Sequence, residues 1–276
     1  MSIVATDKPR RTPALRWRWP LPRQLTLSLG TLAVLLAVWW AVAALQLISP
    51  LFLPPPLQVL GKLISIAGAQ GFMDATLWQH LAASLTRILV ALLAAVVLGI
   101  PVGIAMGLSP TVRGILDPLI ELYRPVPPLA WLPLMVIWFG IGETPKILLI
   151  YLAIFAPVTM AAAAGVKSAQ QVRIRAARAL GASRAQVLWY VILPGALPEM
   201  LTGLRIGLGV GWSTLVAAEL IAATRGLGFM VQSAGEFLAT DVVLAGIAVI
   251  AVIAFGLELG LRVLQRRLTP WHGEVA

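Results

Sequence analysis

The sequence predicts an all-α integral membrane protein with about six transmembrane helices. Hydrophobic residues make up 59% of its 276 residues, and charged residues only 12%. A soluble protein averages about 25% charged residues, because its exterior has to face water. The mean hydropathy of +0.91 agrees with the membrane class. A soluble globular domain is therefore excluded.

Six apolar stretches are long enough to cross a bilayer, which takes about 20 mainly apolar residues per helix. They lie near residues 25–47, 82–107, 115–140, 146–167, 197–222 and 242–265. The first stretch is too long for the core of a signal peptide and lacks a small-residue cleavage site, so we interpret it as a retained anchor. An amphipathic stretch near 57–66 is expected to lie on the outer leaflet, or to cover the bundle as an ordinary loop helix.

The basic residues indicate how the chain is oriented. The net charge is +10, and the Lys and Arg residues cluster before the first span, around the loop 168–196 and after the last span. These clusters are Lys8, Arg10, Arg11, Arg16, Arg18 and Arg23; Lys167, Arg173, Arg175, Arg178 and Arg184; and Arg262, Arg266 and Arg267. Because cytoplasmic loops carry an excess of Lys and Arg, both termini are expected in the cytoplasm. The lipid bilayer is the expected partner of these charges. Nucleic acid is not, since no interleaving of aromatic and basic residues occurs.

The loop between the fourth and fifth spans predicts two short helices joined at Gly181. Glycine supplies the positive φ angle that ends a helix, and Ser183 can cap the helix that follows. The small residues Ala176 and Ala177 are flanked by arginines. This helix could therefore press into a groove on another protein while its charges stay in water. Pro194 is expected to end or kink the second helix.

The third span is interrupted by four prolines within residues 122–133, which should break the helix. Irregular backbone at membrane depth survives only where it is buried in protein or lines a wet cavity, and such breaks recur at substrate sites in transporters. The candidate pathway residues are Glu121, Arg124, Pro127, Pro128 and Trp131. Arg124 either serves the pathway, with Glu121 one turn earlier able to pair with it, or is solvated at the inner membrane edge.

Two further ionisable residues, Arg87 and Glu219, lie inside apolar stretches. Charge inside a membrane is costly, so each is a candidate functional residue. Both could instead form a salt bridge within the bundle or reach the outer surface. The alternative for Glu219 is a position at the outer mouth of a pathway, where it would help to gate entry.

Glycines recur at four-residue spacing in three spans. They are Gly99, Gly103 and Gly107; Gly203, Gly207 and Gly211; and Gly256 and Gly260. Glycine stripes let helix backbones approach closely in lipid. We expect them to pack helices within one subunit. The alternative is that the second and fifth spans slide past partners during transport.

Several kinds of chemistry are excluded by the sequence. Cysteine is absent, and His80 and His272 are the two histidines, so a histidine-based metal site is not expected. There is no phosphate-binding Gly-x-x-x-x-Gly-Lys-Ser/Thr motif and no Gly-x-Ser-x-Gly nucleophile motif. An intramembrane enzyme is therefore not expected, and uphill transport would need energy from a partner or an ion gradient.

The loop at 171–194 resembles the coupling loop, or EAA loop, of ABC importer permeases. That pattern is Glu-Ala-Ala, three residues, Gly, nine residues, an aliphatic residue, any residue and Leu-Pro. Here it reads Arg175-Ala176-Ala177, Gly181, Val191 and Leu193-Pro194, with Arg175 in place of glutamate. Residues 124–143 and 218–228 are similar to the nitrate, sulfonate and taurine branch of these permeases. The similarity to its taurine members extends into 17–20, 48–56, 71–80 and 266–274.

The resemblance implies the MetI-like permease fold of type I ABC importers over residues 80–265. Residues 1–24 would form a basic cytoplasmic segment, 25–79 the first transmembrane helix with its periplasmic connection, and 266–276 a cytoplasmic tail. The coupling loop would comprise Arg175, Ala176, Ala177, Gly181, Ala182, Leu193 and Pro194. Direct ATPase contact is expected from the first five, and a turn back to the membrane from the last two.

The resemblance also implies the partners and the mechanism. Two copies of the chain would form one pathway for taurine or a related sulfonate in a bacterial inner membrane. Two cytoplasmic ATPase subunits and one periplasmic binding protein would complete the importer. The chain itself would be no enzyme and hold no cofactor, because the ATPase uses ATP and magnesium. The alternatives are a permease for another aliphatic sulfonate or nitrate, and a self-contained ion-coupled carrier.

Overall fold

The computed structural model describes residues 23–68, 71–169 and 171–271, and these residues are mainly helical. In chain order the α-helices are α1 (Arg23–Ala44), α2 (Pro56–Ala67), α3 (Leu77–Leu108), α4 (Pro110–Tyr123), α5 (Leu132–Phe139), α6 (Glu143–Ser168), α7 (Gln171–Ala179), α8 (Arg184–Val187), α9 (Leu193–Ala222), α10 (Leu227–Glu236) and α11 (Thr240–Leu268). Most of the basic segment predicted at 1–24, and the end of the tail predicted at 266–276, lie outside the described residues.

Five of the six predicted spans are single helices that are long and apolar enough to cross a membrane. They correspond to α1, α3, α6, α9 and α11. The start predicted for the second span was wrong, since α3 begins at Leu77 rather than near residue 82. Thr76 caps this helix by accepting from Gln79 N, while the Gln79 side chain accepts from Thr76 N at 2.9 Å. The first turns of α3 contain polar residues, including Gln79 of this capping box, so a count of apolar residues did not include them in the predicted span.

The third predicted span is broken, as its prolines require. α4 ends at Tyr123, a 3-10 turn covers Pro128–Trp131, and the short helix α5 follows. The predicted break is therefore confirmed, and residues 115–140 are divided between α4, the 3-10 turn and α5. α4 itself starts earlier than expected, at Pro110, where Ser109 caps it by accepting from Val112 N.

The close contacts between α3, α6 and α9 show how the bundle is arranged. Gly99 lies beside Thr159 and Gly107 beside Val166, so α3 and α6 run parallel. Gly203 packs on Ala161, whereas Gly211 packs further back on Ile154, so α9 runs antiparallel to both. The core between them is formed by Ile88, Ala91 and Ala95; by Ile150, Ile154 and Val158; and by Leu204, Leu208 and Leu215.

The glycine stripes on α3 and α9 pack helices within the chain, as predicted. A methyl group at Gly103 would collide with Thr159 O and Ala162 Cβ, and one at Gly203 with Ala161 Cβ. The same expectation fails for Gly256 and Gly260 on α11, because a methyl group at either would meet nothing within 4 Å.

Two short helices cover one end of the bundle. α2 was predicted as an amphipathic helix, and it buries Val59 and Ile66 in a cluster with Leu227, Met230 and Val242. Its opposite face exposes Leu57, Leu60 and Ile64. Contact of that face with lipid stays a prediction. Helix α10, which lies in the connection between the last two spans, was not predicted.

Candidate functional site

The loop between α6 and α9, here called the coupling hairpin (residues 171–192), has the predicted form. Gly181 has a φ angle of +86°, and Ala182 N donates back to Ala177 O at 3.0 Å, which ends α7 in a Schellman-type turn. Ser183 Oγ accepts from Gln186 N, and Gln186 Oε1 accepts from Ser183 N at 2.8 Å. This second capping box starts α8. The prediction of two short helices joined at Gly181 is confirmed.

The coupling hairpin is firmly attached to the bundle. Ile174, Val187 and Ile192 are buried in one apolar cluster with Val166 of α6 and Ala196 of α9. Because interiors of this kind are close-packed, a displacement of the hairpin should move the adjoining ends of α6 and α9 with it.

The exposed face of the hairpin carries both basic and apolar residues. Arg173, Arg175, Arg178 and Arg184 are exposed, and none of them forms an ion pair within the described part of the chain. Leu180 is 89% exposed and Tyr190 79%. Between them lies a depression of about 350 Å³. Its walls are Ala177, Leu180, Gly181, Ala182, Gln186, Tyr190 and Val191.

Of the end or kink predicted at Pro194, the end is wrong, and a distortion of the helix precedes the proline. Residues Leu188–Ile192 form a turn of π-helix, and α9 then begins at Leu193 with Pro194 in its first turn. A proline is tolerated there because an N–H in the first turn has no acceptor within its own helix. The chain therefore passes into the long helix without the expected turn at Leu193-Pro194. Ala176 is exposed, whereas Leu193 and Pro194 are half-buried.

Three of the five residues predicted around the broken third span line one cavity of about 340 Å³. They are Arg124, Pro128 and Trp131, and the opposite wall includes Pro157 of α6 and Ile206 of α9. Glu121 and Pro127 are exposed and do not line it. The possible pairing of Glu121 with Arg124 does not occur, since no ion pair joins them in the described structure. The backbone of Arg124 is still helical, and its N donates to Ile120 O at 3.0 Å.

Arg87 and Glu219 belong to a compact group that we call the ionic cluster, formed by Arg87, Glu143, Lys146 and Glu219. Arg87 Nη1 donates to Glu219 Oε1 at 2.6 Å, and its Nε and Nη2 donate to Glu143 at 2.5 and 2.9 Å. Lys146 Nζ donates to Glu143 Oε1 at 2.9 Å. The expected salt bridge within the bundle is therefore confirmed, and Glu219 is fully buried rather than open to solvent.

The ionic cluster also fixes the backbone that leads into α10. Arg87 Nη1 donates to Arg225 O at 2.7 Å, and Gly228 N donates to Glu219 Oε2 at 2.9 Å. Gly226 has a φ angle of +139°, and a methyl group on it would collide with the Glu219 carboxylate. Buried ion pairs are stable only when such additional hydrogen bonds satisfy their remaining atoms.

Two polar residues of α3 complete this arrangement. Ser84 Oγ donates to the Glu219 carboxylate at 2.8 Å and accepts from Leu227 N at 2.9 Å. His80 Nδ1 accepts from Gly226 N, so its Nε2 carries the hydrogen that it shares with Phe72 O at 3.0 Å. Neither these two residues nor Glu143 was predicted to belong to a site. Their position near the ends of apolar stretches is the signal that could have identified them.

A second, half-buried ion pair between helices was also missed. Arg205 of α9 donates to Glu258 of α11 at 2.5 and 3.1 Å, and Arg205 Nη1 donates to Gln265 Oε1 at 3.3 Å. Gly203 and Gly207, on either side of Arg205, pack on Ala161 and Ile154 near the middle of α6, which places this pair at mid-depth. Both charges interrupt predicted spans, a signal of the kind that had singled out Arg87 and Glu219.

Known proteins resemble the chain over its full length. The "Taurine transport system permease protein TauC" of Escherichia coli (strain K12) is 85% identical over 275 residues, covering 100% of both chains. The "Putative aliphatic sulfonates transport permease protein SsuC" of the same strain is 37% identical over 238 residues, covering 86% of this chain and 89% of its own.

A solved transporter structure has a fold similar to that of this chain. One chain of the MetNI methionine ABC transporter in an inward-facing conformation has a TM-score of 0.60 at 19% identity, covering 68% of this chain and 93% of that chain. Residues 95–270 also match the family described as "Binding-protein-dependent transport system inner membrane component". This match covers more than half of the sequence. The chain therefore belongs to the family of inner membrane components of binding-protein-dependent transport systems.

Proposed function

We propose that the chain is the permease subunit that forms the membrane pathway of an ATP-driven importer for taurine or a related sulfonate. Family membership gives the general role, a membrane component of a transport system that relies on a binding protein. The substrate is supported by the 85% identity to a permease named for taurine transport. The MetI-like fold supports the ABC importer class.

The observation that carries the ATP-driven mechanism is the coupling hairpin. It presents an exposed surface with an apolar depression, and it is packed on α6 and α9 through Ile174, Val187 and Ile192. The same two helices contribute Pro157 and Ile206 to the cavity beside Arg124. A partner that moves the hairpin would therefore displace the walls of that cavity. A self-contained carrier has no need of such a docking surface.

The assembly follows from this role. Two copies of the chain would form one pathway, with two ATPase subunits on the cytoplasmic side and one binding protein on the periplasmic side. ATP binding would close the ATPase pair and open the bundle outward, and hydrolysis would restore the inward-open state. Both termini would be cytoplasmic, with 1–24 as a basic segment, 25–79 as the first transmembrane unit, 80–265 as the permease domain and 266–276 as the tail.

The charges of the hairpin predict the chemistry of the ATPase surface that would bind it. The hairpin exposes four arginines, and no acidic residue occurs between Glu143 and Glu199. Charge complementarity steers and orients protein association. The ATPase should therefore offer carboxylates around an apolar side chain that enters between Leu180 and Tyr190. Arg175, Ala176, Ala177, Gly181 and Ala182 are the contact residues that we propose.

The test is reconstitution of the permease, ATPase and binding protein in proteoliposomes. Ala177→Glu would fill the depression and set a charge on its apolar wall, so taurine-stimulated ATP hydrolysis and taurine uptake should both be lost while the permease still inserts. Thr111→Glu is the matched control, because it adds the same charge to an exposed position in the first turn of α4. Normal stimulation in Ala177→Glu would refute the docking role.

Two outcomes of the same assay would favour the alternatives. Uptake by the permease alone, driven by an ion gradient, would establish a self-contained carrier. The 37% identity to a permease named for aliphatic sulfonates supports another aliphatic sulfonate as the alternative substrate. Uptake of methanesulfonate or nitrate in preference to taurine would reassign the substrate and leave the transport mechanism in place.

A further inference from the structure

The two carboxylates of the ionic cluster are held in different ways. Glu219 is fully buried, and its partners are Ser84, Arg87 and the backbone N of Gly228. The Glu143 side chain is 58% exposed, and Arg87 and Lys146 are its hydrogen-bond partners in the described structure. The partners of the Glu219 carboxylate therefore do not include Glu143.

Two buried cations depend on Glu143 for acceptors. Lys146 is only 3% exposed, and its Nζ has no other hydrogen-bond partner in the described residues. Arg87 directs Nε and Nη2 to Glu143, while its Nη1 is satisfied by Glu219 and Arg225 O. Without the Glu143 carboxylate, these three donors face one space. The remaining charges, +2 from the cations and −1 from Glu219, then sum to +1.

The backbone around Glu143 leaves this carboxylate free to move. Glu143 is the first residue of α6 and follows Gly140, Ile141 and Gly142. Ile141 is 90% exposed, and a methyl group at Gly140 or Gly142 would meet nothing within 4 Å. Glu143 can therefore swing outward without disturbing the core.

We propose that Arg87 and Lys146 form a binding site for a monoanionic oxyanion, that Glu143 occupies this site in the present structure, and that the sulfonate of the transported substrate exchanges with Glu143. The identity of the substrate rests on the function proposed above. A sulfonate carries three oxygens around one centre, so it can accept from Arg87 Nε, Arg87 Nη2 and Lys146 Nζ together. Hydrogen bonds of this charge-assisted kind are short and strong.

The site is tested in the complete importer, reconstituted in nanodiscs, by titrating sodium methanesulfonate and recording the thermal unfolding midpoint. Glu143→Ala should unfold at a lower temperature than wild type, because two buried cations lose their acceptor. Methanesulfonate should raise that midpoint saturably, since a ligand that binds the folded state stabilises it. Its apparent affinity should be about tenfold tighter than in wild type, where Glu143 competes for the site.

Three comparisons make this response specific. Glu236→Ala removes an exposed carboxylate that accepts from Gln232 and forms no ion pair within the described residues, so this variant should bind methanesulfonate as wild type does. The double variant Glu143→Ala/Lys146→Met should lose the response. Sodium chloride at equal concentration should not reproduce it. If Glu143→Ala does not fold, Glu143→Gln serves, because a carboxamide is a weaker occupant of the same space.

Several results would contradict the proposed binding site. An equal response to chloride, a response that survives Lys146→Met, or no response at all would overturn the site. Taurine uptake by the wild-type importer separates this failure from failure of the proposed function. Uptake without a methanesulfonate response would overturn the site alone. A lysine-dependent response without taurine uptake would support the site and overturn the proposed function.

Discussion

The coupling hairpin and the ionic cluster lie at opposite ends of α6 and α9, and they treat charge in opposite ways. In the hairpin, Arg173, Arg175, Arg178 and Arg184 are exposed and form no ion pair in the described structure. In the ionic cluster, Arg87 is buried and all of its donor nitrogens are engaged. The backbone O of Arg225 and the backbone N of Gly228, at the start of α10, also form hydrogen bonds with the ionic cluster.

This difference indicates where the partners of each region are found. The charges of the ionic cluster are satisfied by residues of the same chain, and a buried charge that loses its partner destabilises the fold. The hairpin arginines are exposed and form no ion pair within the described residues, so water or a bound partner supplies their acceptors. Substitutions in the cluster should therefore lower stability, whereas substitutions in the hairpin should lower docking and leave stability nearly unchanged.

The largest effect is expected from the same substitution made in both regions. Arg87→Ala leaves Glu219 as a buried charge without its cation, and removing one partner of a buried ion pair typically costs about 3–5 kcal/mol. Arg178→Ala removes an exposed cation, and surface changes of that kind stay within about 0.5 kcal/mol. Thermal unfolding of the two purified variants measures the difference. Equal thermal unfolding midpoints for the two variants would show that the two regions do not differ in this way.

A smaller effect should separate two glycines that both have positive φ. At Gly226, with φ +139° and ψ 162°, a methyl group meets the Glu219 carboxylate, so Gly226→Ala should cost about 3 kcal/mol from strain and a displaced hydrogen bond. At Gly181, with φ +86°, a methyl group meets nothing within 4 Å, so Gly181→Ala should cost about 1 kcal/mol from strain alone.

Chemical unfolding of both glycine variants, each compared with wild type, gives the two free energies. Gly114→Ala on α4 is the control, since that position is helical and open. It should be neutral or slightly stabilising. A cost at Gly181 equal to that at Gly226 would show that the hairpin is as crowded as the cluster.

Local features were predicted well because they depend on residues close in the chain. The hairpin turn at Gly181 and the break before Trp131 each follow from backbone geometry that a glycine or a proline imposes. The ionic cluster could be predicted only in part. Pairing Arg87 with Glu143 requires the rotation and depth of two helices separated by more than fifty residues, which apolar periodicity does not provide. The pairing of Arg205 with Glu258 of α11 depends on the same long-range geometry, although the position of Arg205 inside a predicted span could have marked it as a candidate.

The smallest effect concerns Arg124, which tests whether a lone cation behaves like the hairpin or like the cluster. It is exposed and lines the cavity between α4, α6 and α9, and no ion pair fixes it in the described structure. If Arg124 meets the sulfonate during transport, Arg124→Gln should lower the initial rate of taurine uptake about tenfold, the loss of one charge-assisted hydrogen bond. The unfolding midpoint should not change. Arg124→Lys, which keeps the charge, should retain part of the rate. Uptake unaffected by Arg124→Gln would leave this residue only the role of a basic charge that orients the chain.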